Sequence, residues 1–147
     1  SRAGDDLPVD TDEAVRLVRS QVWSDRVEAG RCLSVVVGQE PVDVAVRALL
    51  LDRDSTAVTD ATAEALLRRG DAPALRLLAA AWHVAEPETS DHICAALGSI
   101  LFELSCAEPG DRLRFRAVVE GLLVESDPDV RAGARDLLDA VARALRD

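Results

Sequence analysis

At 147 residues the chain has the length of one domain that can bury a continuous core without disulfides or metals. Its residues are 48% apolar but only 3% aromatic, with two Phe, two Trp and no Tyr, so the core must be Leu, Val and Ala, which favours helices over a β-sandwich. The 17 basic residues, all Arg, stand against 27 acidic ones for a net charge of −10; that balance opposes a nucleic acid partner, which needs clustered cations, and draws a basic protein or peptide instead.

The first ten residues are polar and read as a loose lead-in, its opening SRAG a cloning scar or an internal cut; the domain spans 11–147. From there Pro41, Gly70 with Pro73, Pro87, Pro109 with Gly110, and Pro128 punctuate the chain at helix-sized intervals. No piece alternates as a strand does. Apolar residues recur instead at helical spacing, as in Val42, Ala45, Val46, Leu49 and Leu50, or Phe115, Val118, Val119, Leu122 and Leu123. Helices are predicted over 11–22, 25–38, 41–51, 56–69, 72–85, 90–106, 111–124 and 128–146.

In the last of these, Asp127 is placed to cap the free amides, Pro128 at N1 loses no hydrogen bond, and Asp129 meets the positive end of the helix dipole. Val130, Ala134, Leu137, Leu138, Val141 and Leu145 form its inward stripe, with Ala132, Arg135, Asp136, Asp139 and Arg143 outward. A similar frame opens earlier helices at Val58 and Ile93, and these leading residues follow one another at roughly 35 residues, the period of a helical hairpin that buries its face by stacking on its neighbours.

The stretch LLVESDPDVRAGARDLL (122–138) resembles the HEAT-repeat pattern: a first helix ending in Leu-Leu, an acidic turn, and a second helix opening Asp-x-x-Val-Arg with Ala four residues on. ALLLDRDSTAVTDATAEALLRRGD is a looser copy with Thr59 in place of Arg131, and WSDRVEAGRCL another with Glu28 there; ETSDHICAALGSIL lacks the basic residue. The resemblance covers most of residues 11–147. It implies an all-α fold of four antiparallel hairpins in a short right-handed solenoid, with second helices on the concave side. An irregular all-helical bundle is the alternative.

The residue types that carry chemistry do not assemble into a catalytic motif. His83, Glu86, Glu88, Asp91 and His92 are the one set of metal-ligand type, but Pro87 interrupts it and no helical His pair is present. The cysteines Cys32, Cys94 and Cys106 have no CxxC spacing and sit among apolar residues, which reads as small buried hydrophobes in a reducing cytoplasm. No apolar run reaches the about 18 residues of a membrane span. Neither a nucleophile elbow, nor a P-loop, nor a dinucleotide-binding glycine fingerprint occurs.

The expected function is therefore a non-enzymatic protein-binding module without cofactor or metal, an inhibitor, immunity-type protein or adaptor for a basic partner. Its binding residues are expected on the outward faces of second helices: Asp60, Glu64, His92, Glu103, Arg135, Asp136 and Asp139. A HEAT-like enzyme of the DNA glycosylase type, which should show a basic face with exposed aromatics, and a fragment of a longer repeat array are the alternatives.

Overall fold

The computed structural model describes residues 10–145. Most of the expected lead-in thus lies outside the described residues. Asp10 belongs to the domain, where its carboxylate accepts the Glu13 amide at 2.8 Å and caps the first helix.

Among the described residues the chain is all-helical: α1 (Thr11–Leu17), α2 (Trp23–Ser34), α3 (Val42–Leu50), α4 (Thr56–Arg69), α5 (Ala72–Val84), α6 (Pro87–Ser105), α7 (Pro109–Leu122) and α8 (Pro128–Ala144), with no strand. Where the boundaries differ from the sequence reading, local chemistry explains it. Helix α1 stops short because Ser20 ends it: its hydroxyl accepts the Val22 amide and donates to Asp25, which starts α2 early. Helix α2 ends at Ser34, and the following Gly38 takes a positive φ of 140°. Pro87 and Pro109 do not precede their helices but open them, at the position where a missing N–H costs nothing.

The inward stripes are apolar as read. Val42, Ala45, Val46, Leu49 and Leu50 are buried, as are Val130, Ala134, Leu137 and Val141. Leu138, expected inward, is only partly buried, because α8 turns Gly133 and Leu137 toward its neighbour and leaves Leu138 at the margin.

Helix α4 packs against α2 on one side and α6 on the other, so these three form a layer. They run in one direction, as polar ties at both ends show. Near the starts of α2 and α4, Arg26 donates to Asp52 at 2.7 Å and to the Ser20 carbonyl at 2.8 Å. At their ends, Arg69 donates to the Ser34 and Val35 carbonyls at 3.2 and 3.0 Å. Asp52 also accepts the amides of Asp54 and Ser55 and so sets the turn into α4, which closes on Gly70 in the left-handed conformation with φ 64°. Within the layer α2 and α4 approach closely at Gly30, where a Cβ would lie 2.2 Å from the Thr62 hydroxyl.

Helix α8 departs from that layer. Its most extensive contact, and the most extensive between any two helices, is with α5, while it touches α6 only slightly. The sequence permits this because α5 carries the buried run Ala79, Ala80 and Ala81, and α8 presents Gly133 to it. A Cβ on Gly133 would fall 1.9 Å from the Ala79 carbonyl oxygen, so only glycine fits the crossing. Arg76 reaches Glu125 at 2.5 Å beside the crossing, and Arg131 donates to the Glu125 and Ser126 carbonyls at 2.7 and 2.8 Å, which fixes the turn from which α8 starts.

Candidate functional site

Asp60, Glu64 and Arg68 follow one another at four-residue spacing on α4 and share one face. Because α6 runs alongside in the same direction, its His92 and Glu103 come opposite the two ends of that row. The His92 Nδ1 lies 2.7 Å from Asp60 Oδ1, and Arg68 makes a paired contact with both carboxylate oxygens of Glu103 at 3.0 Å each. Arg68 also donates to Glu64 at 3.1 Å. The result is a ladder across α4 and α6 in which three carboxylates surround one guanidinium and one imidazole.

These side chains are about half exposed. Each pair is therefore screened by solvent and adds little to stability. Bonds to Glu103 first and Glu64 second push the Arg68 guanidinium further above its already high ordinary value, so it stays charged, with its Nε, Nη1 and Nη2 each donating to a carboxylate. The net charge left on the face is negative.

Between the helices runs an open groove of about 530 Å³, lined by the ladder together with Ala95, Ala96, Ser99 and Ile100. Past Glu103 lies a second hollow of about 470 Å³ with a floor of Leu67, Ile100, Leu104, Phe115 and Val118. On the outward side of α6, Phe102 is 71% exposed.

Four of the seven residues expected to bind a partner, Asp60, Glu64, His92 and Glu103, are brought together here. Arg135, Asp136 and Asp139 are exposed on α8 and make no hydrogen bond or ion pair among the described residues. Since α8 packs on α5 and only slightly on α6, its acids do not continue the ladder. Arg68, which was not among the expected binding residues, is the ladder's centre. The exposed Phe102 was also missed, although it stands opposite the inward Ile93, Leu97, Ile100 and Leu101 on the same helix.

The metal-type set does not assemble. His83 lies 4.0 Å from Asp129 across α5 and α8, whereas His92 is bound to Asp60 across α4 and α6. No group of three or more His, Cys, Asp or Glu side chains converges on a metal position among the described residues. The cysteines also differ from expectation: Cys94 and Cys106 are exposed and only Cys32 is half-buried, since the first two fall on the outward arc and the end of α6. Burial, with help from the nearby Glu28 carboxylate, pushes the Cys32 thiol up and keeps it protonated. No helix among the described residues is long and apolar enough to cross a membrane.

In comparisons with known proteins, no family model matches the chain, and neither a curated protein nor a solved structure is similar to it.

Proposed function

We propose that the chain is a non-enzymatic protein-binding module of HEAT-like build, and that it takes a basic protein partner on the α4–α6 face, as an inhibitor, immunity-type protein or adaptor. The observation that carries this reading is the ladder of Asp60, Glu64, His92, Arg68 and Glu103, which leaves an exposed negative surface with its one arginine already engaged. A positive patch on a partner would be steered to such a face and held in register by it. The glycosylase-type alternative needs clustered cations to meet phosphates, and here the single arginine of the face is paired to Glu64 and Glu103 among three carboxylates.

The repeat reading is supported by the lateral ties, since Arg53–Glu86, Asp60–His92 and Arg68–Glu103 join residues 33, 32 and 35 apart. That interval is the length of one helical hairpin in repeat proteins of this kind. In this reading α1 to α6 form a short right-handed stack with second helices on the concave side, and α8 folds over α5 to end it. Arg135, Asp136 and Asp139 then lie off the binding face.

The test is affinity capture from lysate with the unaltered chain, followed by the same capture with Asp60→Asn, Glu64→Gln and Glu103→Gln combined. The expected partner is basic, is lost with this triple variant, and is retained by Asp136→Asn with Asp139→Asn. Once it is purified, its association rate should fall steeply with salt for the unaltered chain and less steeply for the triple variant. Equal loss from both variants would reduce the effect to nonspecific attraction and sink the assignment of a face.

A further inference from the structure

The groove between α4 and α6 and the apolar hollow past Glu103 form one continuous depression, because Arg68 and Ile100 line both. The hollow lies where the ends of α4 and α6 meet α7. Around its floor stand three arginines and three acids, and each arginine is taken by one of the acids: Arg68 by Glu103, Arg69 by Asp71, and Arg114 by Asp111. The rim of the hollow is therefore balanced in charge. The groove adds Asp60 and Glu64 to the shared Arg68 and no further arginine, so the imbalance lies on that side alone.

We propose that groove and hollow are two halves of one site for a basic segment of a protein partner, with lysines or arginines along Asp60, Glu64 and Glu103 and one large apolar side chain seated in the hollow. The proposal rests on the acidic-face reading. It adds an apolar anchor at a fixed place, which the acids alone do not call for.

Each half selects a different chemistry. The floor of Leu67, Ile100, Leu104, Phe115 and Val118 is stabilised when an apolar group covers it and displaces water, and its paired rim offers no unmatched charge to an ion. The groove attracts cations instead. Charge also decides between a foreign chain and a second copy: a copy carrying a net charge of −10 would bring further acids against Asp60 and Glu64, whereas a basic segment meets them with opposite sign.

The dimensions fix the order of the two halves along the segment. From His92 to Glu103 α6 rises about 16 Å, which is the span of about five residues of extended chain. The anchor therefore falls directly beyond a basic run of about that length, at its Glu103 end. A hollow of about 470 Å³ accommodates one leucine, methionine or phenylalanine side chain, and a single enclosed anchor ringed by satisfied polar pairs is the arrangement in which few contacts carry most of the affinity.

The experiment is selection of a displayed library of random peptides on the full chain, each about twelve residues long and so able to span groove and hollow, followed by affinity measurements on the enriched peptides. These should carry lysines or arginines with one large apolar residue beyond them. Replacing that apolar residue by alanine should weaken binding to the unaltered chain about fivefold to tenfold. It should change little on Ala107→Phe, whose added ring fills the hollow; Ala107 lines it, is only partly buried and lies outside any helix, so the melting temperature should hold. Replacing the basic residues should weaken binding to both of these chains alike, and much less to Asp60→Asn with Glu64→Gln. Peptides enriched in basic residues alone, or an apolar residue whose loss costs as much on Ala107→Phe as on the unaltered chain, overturn the two-part site and leave the acidic face standing. Enrichment without basic residues, or no enrichment at all, overturns both.

Discussion

Along the α2–α4–α6 layer neighbouring helices run in the same direction and are tied at their ends by long polar side chains, whereas α8 lies across α5 with a glycine against an alanine backbone. The first arrangement tolerates variation, because arginines such as Arg26 and Arg69 span gaps of several ångströms and reach carbonyls and carboxylates as they find them. The second tolerates almost none. At Gly133 the nearest atoms to an added Cβ are Ala79 O, C and Cα, at 1.9, 2.4 and 2.8 Å, which belong to the main chain of a buried helix. At Gly30 the nearest atom is the Thr62 hydroxyl, on a side chain that can turn.

The largest expected effect follows from that contrast. Gly133→Ala should cost about 3 kcal/mol or more, because α8 must withdraw from α5 as a unit. Gly30→Ala should cost about 1–2 kcal/mol, the price of rotating Thr62 away from its bond to the Val58 carbonyl. Adding Thr62→Ala should recover much of the second loss. No side-chain change at Ala79 should recover the first, since the obstruction is backbone. Urea unfolding midpoints of these variants measure this; a Gly133→Ala protein as stable as Gly30→Ala would mean that the α5–α8 crossing is looser than the Gly133–Ala79 approach implies.

The same contrast marks what could be read from the sequence. Helix existence was legible throughout, because each element carries its own 3.6-residue stripe and its own punctuation, down to the Asp127 cap and Pro128 at N1. Which helix each one packs on was not, since a stripe says that a face is buried and not against what. The α5–α8 crossing had a signal in Gly133 and the Ala79 to Ala81 run, but small residues inside helices are also common where nothing approaches them. Likewise Asp60, Glu64, His92 and Glu103 could be read as outward from their own helices. Their pairing into a ladder could not, because the contacts span 32 and 35 residues and depend on α4 and α6 lying side by side. Arg135, Asp136 and Asp139 were grouped with them by analogy between helices whose neighbours turn out to differ.

An intermediate effect separates the ties of the two regions. Arg26 and Asp52 have side chains only 9% exposed, so Arg26→Ala leaves a carboxylate nearly enclosed and should cost about 3 kcal/mol. Asp52 would keep the amides of Asp54 and Ser55, which limits the loss. At the crossing, Arg76 and Glu125 are 44% and 28% exposed, and Arg76→Ala should cost about 1 kcal/mol or less. Thermal or urea denaturation at fixed pH decides it. A larger loss from Arg76 than from Arg26 would make α8 docking electrostatic rather than steric.

The smallest effect reverses the sign of the first with the same substitution. Gly121 sits in α7, is exposed, and has nothing within 4 Å of where a Cβ would go. It therefore brings the entropic cost of glycine in a helix without the close approach that requires glycine at Gly133. Gly121→Ala should stabilise the protein by about 0.5–1 kcal/mol, the difference in helix propensity between the two residues. The rise in urea midpoint should appear without a change in slope, since the surface exposed on unfolding is nearly the same. A loss of stability at Gly121 would mean that α7 is approached by a neighbour there, and the distinction between a free helix face and the α5–α8 crossing would have to be redrawn.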